Sequence, residues 1–427
     1  MHTNSVIVTS VEQLYQALKN NDVHILIQGE LDELSTFKLS SGGVIKGSNG
    51  AKLKFRSGQP GISLCANTRL ESISIETDIP ITAVTLADEE EDLGEIHIHD
   101  VTTVGRFHLE AASALKAHIH LSNIHVEQAD ARMAAHRPMG FGVEVLLGAI
   151  TIYNFSKNPE SQWTLKAENL SCGSKDMPVR GSGIYLFGGN YIPINADLSS
   201  APAPIAAGGQ LQVELLSTGP VYSDGGISAG VANMITGGIF LGSGAHAKKI
   251  LNKAKVVTYG INDMVLDNWG TCEQWLAQAD IVSYNTSGIG FVNFGIMHNL
   301  QILGAIETHG VGARGFNLYD GELNSATFKS ITTHGNGAIG IQLSKPFGQI
   351  TVLKDIRTTG GEGESLVRGK IVILKAHALS LKPGVKGESL IIVGKALTEN
   401  PSIPTYEFTA PASSIAKLEV TGKVIEE

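Results

Sequence analysis

The sequence predicts an all-β chain built as a parallel β-helix solenoid and closed at its start by a helix. Two observations carry this expectation. Segments beginning VVTYG, IVSYN, IETHG, ITTHG and IRTTG place Tyr259, Tyr284, His309, His334 and Thr359 in one register, 25 residues apart each time. In the same repeat Val256, Ile281, Ile306, Ile331 and Ile356 are all β-branched, and Leu266, Phe291, Phe316, Ile341 and Leu366 are all large and apolar. A unit this short cannot bury an apolar face alone, so it must stack on copies of itself. Strand-length runs with glycine turns at that period mean rungs about 4.8 Å apart.

Each element can be justified in order. In SVEQLYQALKN, Ser10 is an N-cap candidate with Gln13 three residues on, and Val11, Leu14, Tyr15 and Leu18 share one helical face. An open stack exposes strand edges and core, so residues 1–25 read as a strand and a capping helix. Strand-like runs follow (VHILIQG, VIKGS, LKFRS, LESISIET, EIHIHDVTT, AHIHLSNIHVEQ), in a looser register than the second half. Residues 26–427 therefore read as one stack, with excursions near 128–140 (QADARMAAHRPMG) and 189–209 (GNYIPINADLSSAPAPIAAGG). Long excursions of this kind often serve as lids or binding arms. A V-x-G-K-x-[LI] pattern carries the stack almost to the C-terminus.

Composition narrows the function classes. Net charge is −9 with no basic stretch, which argues against nucleic acid as a partner. Cys65, Cys172 and Cys272 are too few and scattered for a disulfide framework. No run reaches membrane-spanning length and the first residues lack the basic and apolar regions of a leader, so a cytoplasmic protein with no membrane partner is expected.

Strand alternation then sorts the columns. With Val256 and its equivalents inward, Thr258, Ser283, Thr308, Thr333 and Thr358 also point inward, as a hydroxyl ladder that bonds neighbouring turns. Tyr259, Tyr284, His309, His334 and Thr359 point out. Asp267, Val292, Asn317, Gln342 and Val367 are expected on the surface, with Trp269, Phe294, Tyr319, Ser344 and Gly369 two residues further on the same side. Rings beside hydrogen-bonding side chains suit sugars, whose apolar faces stack while their hydroxyls need partners. The same ladder could equally stabilise the stack by ring packing, or lie under a loop or a subunit contact.

The chemistry-bearing residues concentrate in the middle turns. His309 and His334 on adjacent rungs would depress each other's pKa by repulsion, leaving a neutral base, with Tyr284 beside them. Arg314 or Lys345 could neutralise a carboxylate or developing enolate, a set suited to β-elimination or epimerisation at a uronic acid. Asp263 and Asp267 would instead suit glycoside hydrolysis, which needs two carboxyls flanking one bond. Arg314 stands in a column with Met264, Ile289, Ile339 and Glu364, so it is also expected to be semi-buried and paired with an acid. Trp269, Asp267, Asn317, Tyr319 and Lys345 are the expected substrate contacts. Upstream, His97 and His99 are offset by 21 from His118 and His120, so the two pairs could stack and suit zinc. Polar alternation explains H-x-H as well, and neither a metal nor a cofactor is expected.

The helix SVEQLYQALKN followed by short strands and the 25-residue turns resembles the right-handed parallel β-helix (pectate-lyase-like) superfamily. Its members include pectate lyases, polygalacturonases, alginate epimerases and fructotransferases. The catalytic patterns of those families are missing. There is no Asn-Thr-Asp with an Asp-Asp pair, no Asp-Pro-His-Glu, and His136-Arg137-Pro138 is only a fragment of Arg-x-Pro-x-x-Arg. The resemblance implies a carbohydrate-active protein and transfers no catalytic residue. The expectation is a lyase, epimerase or glycoside-cleaving enzyme with a saccharide in a groove along 255–345, overhung by the 189–209 excursion. The alternative is a non-catalytic protein that binds glycans or assembles with itself; whether it is a homo-oligomer is left open.

Overall fold

The computed structural model describes residues 5–48, 50–189, 208–367 and 370–425. Almost every strand in it is paired in parallel, in a 23-stranded and a 15-stranded sheet. Among the described residues one α-helix, Val11–Lys19, is present, and no helix is long and apolar enough to cross a membrane.

The helix forms for the reasons its sequence gives. Ser10 caps it from an extended backbone and accepts the Gln13 N–H, while Gln13 reaches back to the N–H of Thr9 rather than of Ser10 (2.8 Å). Leu14 and Ala17 are buried in the main core. The Tyr15 hydroxyl bridges the N–H and C=O of Ser35, at 2.7 and 3.0 Å, which pins the helix to the chain leaving it. Strand Val6–Val8 pairs in parallel with His24–Ile27 and starts the larger sheet.

The repeat columns are stacked residue on residue. In the larger sheet Val256 pairs with Ile281, Ile281 with Ile306, Ile306 with Ile331 and Ile331 with Ile356, and all five are fully buried. In the smaller sheet one ladder runs from Phe107 through Ile150, Ile184, Ile239, Leu266, Phe291 and Phe316 to Ile341. Its continuation departs from the sequence reading. Ile341 pairs next with Leu379, not Leu366, because Glu362–Val367 folds back on Lys370–Lys375 as an antiparallel hairpin. The 25-residue count thus stops at this rung while the ladder continues. Ile415–Val420 ends the parallel stacking, and Lys423–Val424 turns back along it.

Buried polar groups mark the ends of strands in both sheets. Thr258, Ser283, Thr308, Thr333 and Thr358 are fully buried, as alternation requires. Thr258 and Thr333 donate to carbonyls five residues on in their own turn, not to a neighbouring turn. The Ser283 and Thr308 hydroxyls have no hydrogen-bond partner, so the ladder is only partly satisfied. At strand ends of the smaller sheet Asn268 donates to Asn293 Oδ1 at 2.7 Å, and Asn293 donates to the Gly295 carbonyl. The glycines of the Thr-x-Gly turns are needed for close approach. A Cβ at Gly310, Gly335 or Gly360 would lie 1.8, 1.9 or 2.0 Å from a carbonyl oxygen of the rung before, far inside any allowed contact.

Candidate functional site

The outer face of the smaller sheet is where most of the predicted site residues meet, and it is covered rather than open. One outward column runs His108, Thr151, Tyr185, Phe240, Asp267, Val292, Asn317 and Gln342. Its central members, with Tyr153, Phe187 and Trp269, form a second apolar core against Ala131, Ala134, Val145 and Leu147. The excursion near 128–140 therefore folds across the face and buries what alternation alone leaves outside. Asp267, Asn317 and Trp269 are 0 %, 1 % and 6 % exposed, which corrects their expected surface placement. Gly369 and most of the 189–209 excursion, 190–207, lie outside the described residues.

A short hairpin shapes the covering. Met139–Gly140 pairs antiparallel with Val143–Glu144, leaving a two-residue loop with φ of +51° at Phe141 and +83° at Gly142. Both signs suit a type I′ hairpin turn, whose first position is strained for a bulky aromatic. Glu144 and Val145 continue in parallel with Met234 and Ile235, and Arg137 holds Glu144 at 2.7 Å. The strained tip delivers Phe141 against Trp269 and Phe294.

Between this tip, the 232–235 segment and the sheet lies a cleft with a cavity volume of about 90 Å³. Its walls are Phe141, Val143, Ile235, Met264, Ile289, Val292, Phe294 and Tyr319, and its polar groups come from Asn262, Asp267, Ser287, Arg314 and Asn317. The Phe294 and Tyr319 rings lie 4.8 Å apart along one wall. Asn262 donates to the Val231 carbonyl at 2.9 Å and so ties the opposite wall down.

Two groups in the cleft are electrostatically unusual. Arg314 is 5 % exposed. It donates to the Gly312 carbonyl at 2.9 Å and to Gln342 Oε1 at 3.4 Å. No carboxylate of the described residues lies within ion-pair distance, contrary to the expected acid partner. Burial lowers its pKa to about 10 against the opposing effect of Tyr319. Among the described residues no hydrogen bond of normal geometry reaches either Asp267 carboxyl oxygen, and burial pushes its pKa well above the carboxylate range against the opposing effect of the Trp269 indole N–H. Burial therefore favours its protonated form. Asp263 does not line the cleft. It accepts the Gly225 and Gly260 N–H groups at 3.1 Å, and burial raises it to about 7. Of the two acids, only Asp267 lines the cleft.

The remaining predicted residues are elsewhere. Tyr284, His309 and His334 do not line the cleft; with Tyr259 they form an outward stack with centroid separations of 5.3, 4.8 and 4.6 Å and planes within 11° of parallel. Burial is the main cause of the lowered His309 pKa, and repulsion from His334 is a lesser one than expected. Lys345 pairs with Asp320 at 2.8 Å. Upstream, the register joins His97 to His120 and Glu95 to His118, an offset of 23 that replaces the expected pairing of His97 with His118. Sequence reasoning gave no role to Phe141, Asn262 or Ser287. The Phe-Gly pair between two short apolar runs was the available signal for the hairpin. No protein-family model, curated protein or solved structure matches the chain.

Proposed function

We propose that the two sheets are faces of one right-handed parallel β-helix, that helix Val11–Lys19 caps it, and that the protein is carbohydrate-active on an acidic saccharide held in the Arg314 cleft. The observation that carries this reading is a buried guanidinium with no carboxylate partner among the described residues, opening on a cleft walled by rings. A buried charge is costly until an anion joins it. A uronate carboxylate matches the planar fork of Arg314, and the sugar's apolar face matches Phe294 and Tyr319. Elimination or epimerisation beside a carboxylate requires that its charge be neutralised and a proton be moved. Arg314 supplies the first; a protonated Asp267 can give a proton to a departing glycosidic oxygen, and removal of the proton beside the carboxylate needs a base that neither residue provides. A non-catalytic glycan-binding protein would use the same cleft without turnover.

Calorimetric titration with galacturonate and glucuronate, against galactose and glucose, tests the reading. Binding of the acids alone, lost in Arg314→Met while the fold persists, supports it; no binding of either acid at millimolar concentration rejects it. Oligouronides then separate the classes, since a lyase generates an ultraviolet-absorbing unsaturated product and an epimerase changes the sugar proton resonances. Self-assembly has one observation in its favour: Ile371 and Ile373 are 67 % and 62 % exposed on the 362–375 hairpin. Sedimentation velocity of the parent and of an Ile371→Ser/Ile373→Ser variant tests it.

A further inference from the structure

Outside the cleft, the same three-residue device occurs twice on the larger sheet. Glu307 is in strand Ile296–Thr308 and His309 is the residue directly after it, two positions on, so both side chains leave the backbone on one face. His334 is the next-rung neighbour of His309, with ring centroids 4.6 Å apart and 11° between planes. A single oxygen, Glu307 Oε1, faces Nε2 of both rings at 3.5 and 3.0 Å. Far upstream, Glu95 and His97 have the same spacing, and His120 stacks on His97 at 4.6 Å and 12°. Glu95 Oε2 faces Nε2 of the two rings at 3.6 and 3.0 Å. The two clusters agree to within 0.1 Å and 1° in these quantities. In each, the three donor atoms lie within 4.8 Å of one another.

We propose that Glu307, His309 and His334 form a site for a divalent transition-metal ion, and that Glu95, His97 and His120 form a second. Two imidazole nitrogens and one carboxylate oxygen are a donor set that suits zinc while leaving a coordination position open. Imidazole also suits copper and nickel, whereas magnesium prefers oxygen ligands. Zinc–nitrogen bonds of about 2.0–2.1 Å require the stacked rings to tilt toward each other at their Nε2 edges. Both rings are partly exposed, at 33 % and 34 % in one site and 33 % and 42 % in the other, so they have room to tilt and the ion has a path in. Repetition of the arrangement separates it from the alternation that produces single H-x-H pairs. His99 and His118, the other members of those pairs, instead meet the Ser122 and Thr164 hydroxyls.

The test is calorimetric titration of the chelator-treated full-length chain with zinc chloride, with magnesium chloride as control. Two zinc equivalents per chain and no magnesium binding are expected. His334→Ala and His120→Ala should each remove one equivalent, and the double variant both, with metal-free melting temperatures close to the parent's. Cobalt in place of zinc should give visible absorption bands that fall by about half in each single variant. Should His334→Ala fail to fold, Glu307→Gln removes a donor from the same site. Absence of saturable zinc binding, or a stoichiometry that these variants leave unchanged, overturns the proposal; the latter would assign the zinc to others of the 14 histidines.

Discussion

Phe141 meets the indole of Trp269 edge-on, with ring centroids 5.0 Å apart and planes at 83°. This contact joins the hairpin tip to the sheet and forms one end of the cleft. Such pairs contribute about 0.5–1.5 kcal/mol beyond area burial. Phe141→Ala should let water reach Trp269 and shift tryptophan emission to the red. Trp163 and Trp275 are fully buried in the main core, so the change would report Trp269 alone. An unshifted spectrum would show that the hairpin does not cover the indole in solution.

Phe316 lies between Phe291, at 6.1 Å, and Ile341, with Phe328 packed at 4.8 Å. Phe316→Ala should therefore cost about 3–5 kcal/mol, as large-to-small core changes do. Urea unfolding measures it; a midpoint equal to the parent's would remove Phe316 from the core.

Asn293 serves two rungs at once, accepting from Asn268 and donating to the Gly295 and Glu322 carbonyls. The next residue in its column is Leu318, so the polar ladder ends there. Asn293→Ala leaves the buried Asn268 amide only its long bond to the Ile296 carbonyl (3.4 Å) and strips the Gly295 and Glu322 carbonyls of a donor, at about 1–3 kcal/mol per unsatisfied group. Asn293→Asp, which keeps the acceptor and loses the donor, should retain part of the stability in the same urea experiment.

Two carboxyls should tilt the pH–stability curve in opposite senses. Burial alone would raise Glu110, but hydrogen bonds from His108 and His136 outweigh it and hold the group at about 2 against an ordinary 4.5. Its contribution is present above pH 4.5 and is lost as pH falls towards 2, about 3 kcal/mol in all. Asp263 is raised from 3.8 to about 7, so its contribution is full below pH 3.8 and is lost as pH rises through 7. Glu110→Gln should flatten the acid limb of stability against pH, and Asp263→Asn the limb approaching neutrality. If each variant parallels the parent over its own window, these assignments fail.

Legibility in the sequence followed the range of the forces involved. The inward columns from Val256 and Leu266 could be read because each rung solves the same burial problem with the same residue type. The register failed at Leu366, where an inserted hairpin lengthens the connection without disturbing the ladder from Ile341 to Leu379. Upstream, unequal turn lengths moved the histidine pairing by two residues. Arg314, Asp267, Asn317 and Tyr319 were recognised as candidates and do line one cleft. The burial of Arg314 could be read from its apolar column, but that of Asp267 and Asn317 could not, because it depends on the 128–147 segment crossing a face that alternation can only describe as outward. His309 and His334 looked like members of the same site because they recur at the same period. Periodicity places residues on a column without saying which cleft the column borders.

The glycine turns have a consequence for how the molecule meets proteases. A protease must draw several residues of extended chain into its groove and grip their side chains. At Gly310, Gly335 and Gly360 the backbone of each rung rests on the carbonyl of the one before, which leaves no side chain to grip and no slack to draw. The 362–375 hairpin is the opposite case, with Ile371 and Ile373 standing clear of the core. Brief digestion should cut within 362–375 and leave two fragments associated through the unbroken ladder between Ile341 and Leu379.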